Sequence, residues 1–285
     1  MSMAKVEFFG VRGSHPTPRI ENLRFGGNTS CVLVYSDDDP EREFPIIFDL
    51  GTGLTRLAQE LDSNQIFSGV SFVSHLHFDH IQGLPFFSPI DRVGSRLRIL
   101  APSEANITAK ESFDLLFSSP FFPVKLGDLR GEITIESMVP GSVTLAQPGS
   151  PLVTASHVSH TNSTFGYRLE IDGKVIVYIA DHQAPLDSQS VDDSVVELCR
   201  AADLLIHDAQ YTPDEFQQKS HWGHSTYNFA VQVALRSGVR SLAFYHHDPG
   251  RTDDELDRIE KSYEADGIAF GFSIFAAREG MKLEI

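Results

Sequence analysis

The chain has 285 residues, of which 41% are hydrophobic and 22% are charged, as in folded globular proteins with a substantial core. Its 39 acidic and 23 basic residues give a formal net charge of −16. This charge disfavours broad non-specific binding to nucleic acid or to an anionic membrane. No apolar stretch approaches the ~20 residues that a membrane span needs, and the first residues show no apolar h-region, so we expect no signal peptide. Cys31 and Cys199 follow no CxxC pattern. We therefore expect a soluble, cytoplasmic protein with no membrane partner.

The first part of the chain predicts consecutive strands joined by short turns. Strands are expected over 5–11, 30–35 and 45–49, and the third of these ends at Asp49. The amphipathic pattern that follows predicts a helix over 54–61.

An apolar run at 70–73 leads into His-Leu-His-Phe-Asp-His at 75–80. Residues two apart on an extended strand point to the same face, so His75 and His77 can reach one metal ion together. Asp79 and His80 follow in a turn or a first helical turn, where they can face a second ion. Imidazole and carboxylate ligands suit zinc, manganese or iron. The segment therefore predicts a metal site.

Two aromatic pairs, Phe86 with Phe87 and Phe121 with Phe122, occur in loops beyond this motif. Such pairs can line a substrate pocket, contact a second subunit in a homodimer, or pack in the core, and all three alternatives stay open. A strand is expected over 96–100. Helical periodicity over 103–117 predicts a helix with Ser103 as its N-cap.

The remaining predicted strands share one feature, which is that each ends at histidine or aspartate. Strands over 152–156, 174–180, 204–206 and 241–245 end, in that order, at His157, Asp181, His207 with Asp208, and His246 with His247. Together with the strand that ends at Asp49, they gather these side chains along one rim. Adjacent strand residues point to opposite faces, so only one of the last two histidines can face the site, and His246 is preferred. A further group is expected to support the site or lie at the surface: His160, His182, His207 and His221.

Helices are expected over 192–202, 225–236 and 253–265. No internal repeat and no low-complexity linker divides the chain. We therefore expect one domain over 1–285, of the α+β class, with stacked sheets and outer helices.

With these motifs identified, the chain resembles the metallo-β-lactamase-fold hydrolases over essentially its whole length. The resemblance implies a four-layer αββα sandwich with two divalent metal ions along one edge. It assigns to the first ion His75, His77, His157 and Asp181. It assigns to the second ion Asp79, His80, Asp181 and His246. Zinc is expected, with manganese or iron as alternatives, and Asp49 matches a carboxylate that orients a ligand histidine.

Further motifs narrow the resemblance. True β-lactamases lack the bridging aspartate that Asp181 supplies, whereas Gly-His-Ser-Thr at 223–226 resembles the phosphodiesterase branch. That branch includes ribonuclease Z-like, phosphoribosyl cyclic phosphodiesterase-like and cyclic-nucleotide phosphodiesterase-like proteins. The resemblance implies hydrolysis by a hydroxide that bridges the two ions and is oriented by Asp79. It also implies that His224 faces the scissile phosphate and pairs with Asp208; the alternative is that His224 only caps its helix.

The tRNA endonucleases of this branch insert a long arm between the third histidine and the bridging aspartate. Here only 23 residues separate His157 from Asp181. We therefore expect small or cyclic phosphodiesters as substrates rather than extended nucleic acid. The alternatives are a tRNA 3′-processing-type endoribonuclease, a thioesterase or lactonase of the same fold, and, outside enzymes, a non-catalytic ligand-binding module.

Overall fold

The computed structural model describes residues 3–36, 45–62, 65–145, 151–186 and 190–285. Within these ranges the strands, numbered in chain order, are β1 (Ala4–Gly10), β2 (Cys31–Ser36), β3 (Ile46–Phe48), β4 (Ser68–Phe72), β5 (Arg96–Pro102), β6 (Glu132–Met138), β7 (Gly141–Thr144), β8 (Leu152–His157), β9 (Phe165–Ile171), β10 (Lys174–Ile179), β11 (Leu204–Asp208), β12 (Ser241–Tyr245), β13 (Ser273–Ala276) and β14 (Lys282–Glu284). The helices are α1 (Gly53–Glu60), α2 (Phe78–Ile81), α3 (Ala109–Leu116), α4 (Asp193–Cys199), α5 (Pro213–Lys219), α6 (Tyr227–Ser237) and α7 (Asp253–Phe270). Short 3₁₀ helices cover Ile20–Asn22, Leu84–Phe86, Ser88–Ile90 and Leu126–Asp128.

The strands form two mixed sheets of seven strands each among the described residues. The first has the order β14-β1-β2-β3-β4-β5-β6, and the second has the order β13-β12-β11-β10-β9-β8-β7. In the first sheet the pairs from β14 to β3 are antiparallel and those from β3 to β6 are parallel. The second sheet has the same division, antiparallel from β7 to β10 and parallel from β10 to β13.

The two sheets pack against each other through a buried apolar and aromatic layer. Phe48 of the first sheet stacks on Tyr178 of the second, with ring centroids 5.0 Å apart. The outer face of the first sheet packs on residues of α1 and α3, including Leu54 and Phe113. The outer face of the second packs on residues of α4 and α6. This helix–sheet–sheet–helix order confirms the predicted αββα sandwich.

The helix predicted over 103–117 starts later than its periodicity suggested. It begins at Ala109, and its N-cap is Thr108, whose side chain accepts the backbone N–H of Glu111 while the Glu111 carboxylate accepts the backbone N–H of Thr108. This reciprocal capping box fixes the helix start. The preceding residues instead form a turn closed by a backbone bridge between Glu104 and Ile107. Ser103 is therefore not a cap. Among the described residues, no helix is both long and apolar enough to cross a membrane.

Candidate metal centre

The segment that follows β4 brings its histidines and aspartate to the rim shared by the two sheets. His75 is fully buried, and its Nε2 atom lies 2.8 Å from Nδ1 of His77. His77 has an extended backbone and directly precedes α2, so Asp79 and His80 lie in the first turn of that helix. Both are buried. The change from extended chain to helix therefore separates the four side chains into a first pair, His75 with His77, and a second pair, Asp79 with His80.

One group of metal-binding atoms combines the first pair with residues of the second sheet. His160 Nε2 lies 3.4 Å from His77 Nδ1 and 3.6 Å from Asp181 Oδ2. His75 Nε2 lies 3.6 Å from the same carboxylate oxygen. One ligand atom from each of these four residues lies within 4.8 Å of all the others. Three imidazoles and one carboxylate at this spacing form a set that zinc commonly binds.

His157 is not part of this group, and the structure corrects the predicted position to His160. His157 is the last residue of β8, and its exposed ring packs on Phe165, with ring centroids 4.7 Å apart. The chain turns back beyond the strand and brings His160 to the rim. There, Nδ1 of His160 donates to the carbonyl oxygen of Gly223 at 2.7 Å. This bond leaves the Nε2 lone pair directed at the group, as metal-ligating histidines require.

A second group lies on the other side of Asp181. Asp79 Oδ2 is 3.2 Å from Nε2 of His80 and 3.2 Å from Nε2 of His246. Asp181 Oδ1 is 3.1 Å and 3.2 Å from the same two nitrogens. Because Oδ2 of Asp181 faces the first group and Oδ1 faces the second, this carboxylate has the geometry of a bridge between two ions.

His246 directly follows β12 and has φ +57°, a left-handed conformation that is uncommon for residues other than glycine. The loop after β1 lies against it: the backbone N–H of Gly13 donates to the carbonyl oxygen of His247, and the N–H of His247 donates to that of Val11. His247 turns away from the site, and its Nε2 donates to the carbonyl oxygen of Ala277 at 2.9 Å. Of the two adjacent histidines, the structure therefore brings His246 to the group.

Asp49 binds His80 through Nδ1, the ring nitrogen that does not face the second group. Its Oδ2 accepts Nδ1–H of His80 at 2.7 Å, the hydroxyl of Tyr178 at 2.6 Å and the hydroxyl of Ser74 at 2.9 Å. Its Oδ1 accepts the backbone N–H of Ser74 at 2.6 Å. Asp49 is fully buried and has φ +59°, another left-handed residue at this rim. The hydrogen bond to Nδ1 leaves Nε2 of His80 free for a metal, which is the orienting contact that such sites use.

His224 and Asp208 form a buried pair beside Asp181. Nδ1 of His224 lies 3.2 Å from Oδ2 of Asp208 and 3.7 Å from Oδ2 of Asp181. The carboxylate of Asp208 requires a proton on Nδ1, so that nitrogen cannot also bind a metal ion. Burial opposes protonation of His224, but the charge and hydrogen bond of Asp208 outweigh it and raise the pKa of the imidazole. The N-cap of α6 is Thr226, which excludes His224 as the cap.

The described residues fit a pair of metal ions. His80 Nε2 and Asp181 Oδ1 are buried and lie 3.1 Å apart, but neither makes a hydrogen bond of good geometry with any described residue. Burial alone would raise the pKa of Asp181, but His246, His80 and His75 hold it well below its usual range. Buried carboxylates that stay charged need nearby positive charge. Two cations among nitrogen and oxygen donors would supply that charge and satisfy the unpaired atoms.

Comparisons with known proteins agree with this architecture. Ribonuclease Z of Natronomonas pharaonis is 25% identical over 324 aligned positions, which cover 99% of this chain and 97% of the relative. The metallo-beta-lactamase fold protein YhfI of Bacillus subtilis has a TM-score of 0.69 at 21% identity and covers 100% of both chains. A diphosphatase from the PhnP family has a TM-score of 0.70 at 19% identity and covers 99% of this chain and 98% of its own.

These matches confirm the fold predicted from the sequence and the resemblance to ribonuclease Z-like proteins. Together with the metal-binding groups, they confirm the prediction of a metal-dependent hydrolase. The family model described as the beta-lactamase superfamily domain matches residues 52–247, more than half of the chain. The chain therefore belongs to the beta-lactamase superfamily.

Proposed function

We propose that this protein is a dinuclear metal-dependent phosphodiesterase that hydrolyses small or cyclic phosphodiesters. The observation that carries the proposal is the position of Asp181 between two groups of metal-binding atoms, with the His224–Asp208 pair beside it. The first ion would be held by His75, His77, His160 and Asp181. The second ion would be held by Asp79, His80, Asp181 and His246. The nitrogen and oxygen donors favour zinc, with manganese or iron as alternatives.

Bound ions at these positions would lower the pKa of water towards neutrality and neutralise charge on the phosphoryl oxygens. The chain's own residues contribute orientation and a proton. Asp79 Oδ2 accepts the backbone N–H of Ser14 at 2.7 Å, which fixes this carboxylate towards the shared space. In His224, Nδ1 is bonded to Asp208, so Nε2 is the atom that can donate a proton to the departing alkoxide. No covalent enzyme intermediate is needed.

The preference for small substrates is supported by the connection that leads to Asp181. Strands β9 and β10 form a hairpin in which Ile171 pairs with Lys174, so only Asp172 and Gly173 form the turn. Such a turn has no room for an arm that grips a large RNA. The alignment with the Natronomonas ribonuclease Z extends over 324 positions, more than the 285 residues of this chain, so that relative contains insertions absent here.

A second candidate function is endonucleolytic processing of tRNA 3′ ends, favoured by the match to a ribonuclease Z across 99% of this chain. Both candidate functions require the same metal centre. They differ in the size of the substrate that the surface around the centre must bind. The net charge of −16 and the two-residue hairpin turn support the small-substrate proposal over this alternative.

The proposal is tested by the activity of metal-reconstituted protein on bis-p-nitrophenyl phosphate, nucleoside cyclic phosphates, cyclic ribose phosphates, a 3′-extended pre-tRNA and a lactone. We expect hydrolysis of the small diesters that is lost in chelator-treated protein and in Asp181→Ala. Efficient, site-specific cleavage of the pre-tRNA trailer would favour the endonuclease. Activity on the lactone alone would reject both phosphodiesterase functions.

As part of this proposal we place the enzyme in the cytoplasm. Cys31 and Cys199 are both buried and free of any disulfide, which is the state expected in a reducing compartment.

A further inference from the structure

A pocket of about 330 Å³ lies beside the segment that carries His75, His77, Asp79 and His80. One wall consists of Leu76, Phe78 and Ile81, and each of these residues directly adjoins a metal-binding residue in the sequence. Asn162, two residues after His160, also lines it. The pocket volume lies at the small end of the range of ligand sites, roughly 300–1,000 Å³. The pocket is therefore large enough for a ring-sized group, and the shared segment connects it to the metal-binding residues.

Most of the side chains that line this pocket are apolar or aromatic, and several of them are exposed to solvent. Phe78 is 70% exposed and Phe121 is 81% exposed, and Leu115 of α3 is 60% exposed. Exposed large apolar side chains that cluster around one concavity mark a binding site more often than isolated ones do. The turn that carries Phe121 is closed by a hydrogen bond in which the backbone N–H of Phe121 donates to the carbonyl oxygen of Ser118 at 2.8 Å.

The charge of the pocket is negative, since none of its lining residues is lysine or arginine and Glu104 is among them. Oε1 of Glu104 accepts the backbone N–H of Ser163 at 2.6 Å, which holds the carboxylate at this edge. The hydroxyl of Ser112 is already engaged with the carbonyl oxygen of Thr108. A second phosphate or carboxylate on the substrate would therefore meet repulsion without a cation to bind it.

We propose that this pocket binds an uncharged aromatic group of the phosphodiester substrate and rejects substrates that bear a further negative charge. The inference rests on the proposed function, because it places the phosphoryl group at the metal centre. Phe78 and Phe121 contribute aromatic contact, and Glu104 sets the selection against anions. We therefore expect nucleoside cyclic phosphates to be better substrates than matched cyclic phosphates whose sugar carries no aromatic group.

Binding of phosphonates, which cannot be hydrolysed, tests the pocket separately from turnover. Isothermal titration calorimetry of the metal-loaded protein would compare benzylphosphonate with methylphosphonate. We expect wild type to bind the benzyl compound about tenfold more tightly, because part of the ring leaves water. Phe121→Ala should reduce this ratio to about threefold or less. The control Phe270→Ala, which removes a 50% exposed phenylalanine at the end of α7, should leave the ratio unchanged.

A gain of binding tests the role of Glu104. We expect wild type to bind 4-carboxybenzylphosphonate about fivefold more weakly than benzylphosphonate, because the added carboxylate approaches Glu104 without screening by a cation. Glu104→Gln keeps an oxygen that accepts the Ser163 N–H but removes the charge. In this variant the affinities for 4-carboxybenzylphosphonate and benzylphosphonate should lie within about twofold of each other. A misfolded variant could not gain affinity for the carboxylated compound in this way.

Three outcomes separate the inference from the function on which it rests. Equal affinity for benzylphosphonate and methylphosphonate in wild type would overturn the pocket, even if small diesters are hydrolysed. A dimer that dissociates on Phe121→Ala, with an unchanged benzyl preference, would assign these side chains to a subunit contact and also overturn it. Failure to hydrolyse any diester, with the benzyl preference intact and lost in Phe121→Ala, would support the pocket and reject the phosphodiesterase.

Discussion

Nδ1 of His224 lies 3.2 Å from Oδ2 of Asp208, and the same oxygen accepts the backbone N–H groups of His182 at 3.0 Å and Ser225 at 3.1 Å. Asp208 Oδ1 accepts a further backbone N–H, from Gln210 at 3.2 Å. The carboxylate is thus fixed by three backbone N–H groups, one of them from Ser225, the residue that follows His224. A histidine held in this way keeps its proton on Nδ1 and presents Nε2 to the site.

The first prediction follows from this pair. His224→Ala should lower kcat by about 10²–10⁴, the usual contribution of a general acid, while the metal content measured by elemental analysis stays unchanged. The loss should be smallest on p-nitrophenyl esters, whose leaving group needs no proton. An equal loss on good and poor leaving groups would indicate stabilisation of phosphoryl charge instead. An unchanged kcat on every substrate would remove His224 from the reaction.

The second prediction compares two histidines three residues apart. His160→Ala removes one of four donors to the first ion, so elemental analysis should find about one equivalent less metal per chain than in wild type. His157→Ala removes an exposed ring that contacts Phe165 and should leave the metal content unchanged. The reverse pattern would restore His157 as the ligand.

The third prediction concerns Asp49, which accepts a hydrogen bond from Nδ1 of His80. Asp49→Asn weakens the acceptor that orients His80, and metal affinity should fall by about 10–100-fold in a competition titration with a chelator. Tyr178→Phe is the matched control, because it removes one hydrogen bond to the same oxygen and retains the ring that stacks on Phe48. It should change metal affinity by about threefold or less. Equal effects of the two variants would contradict an orienting role.

The fourth prediction uses the close approach of Gly13 to His246. A Cβ atom at position 13 would lie 2.5 Å from Cε1 and Nδ1 of the imidazole, so we expect Gly13→Ala to displace that ring. We expect weaker binding of the second ion and lower activity with little loss at the first. Gly127→Ala, where a Cβ would meet nothing within 4 Å, should change neither property. Full occupancy of both ions in Gly13→Ala would show that the loop yields instead.

The fifth prediction concerns metal removal. Ions that bind the folded chain and not the unfolded one stabilise it by mass action, so chelation should lower the Tm of wild type. Asp181→Ala lacks the carboxylate that faces both groups. Its Tm should therefore respond much less to chelator or to added zinc in differential scanning calorimetry. A wild-type Tm that is independent of metal would contradict a centre built from these residues.

Sequence reasoning agrees with the arrangement in the structure where the relevant residues are local or follow a buried strand. The spacing of His75, His77, Asp79 and His80 could be interpreted without any distant contact. Asp181 was predicted because the carboxyl ends of apolar strands meet along one edge, and this residue directly follows β10. Stacked sheets with outer helices were accessible for a similar reason, since apolar strands and amphipathic helices leave strong periodic patterns. The αββα order itself came from the family resemblance.

The same strand-end rule failed at His157. The chain continues past β8, and the position of His160 is decided by a hydrogen bond to Gly223, which is 63 residues away in the sequence. No local pattern encodes such a contact. Strand β6 was also not predicted, because it is an edge strand with many exposed residues and a weak apolar signal.

The pairing of β14 with β1 joins parts of the chain that are far apart in the sequence. Lys5 pairs with Glu284, 279 positions away, so the first sheet is complete only when these two segments have met. The proposed metal centre has a similar requirement, since His75 lies beyond β4 of the first sheet and His246 follows β12 of the second. We therefore expect the chain to bind metal tightly only after both sheets have formed, so that protection by metal against unfolding reports on completed tertiary structure.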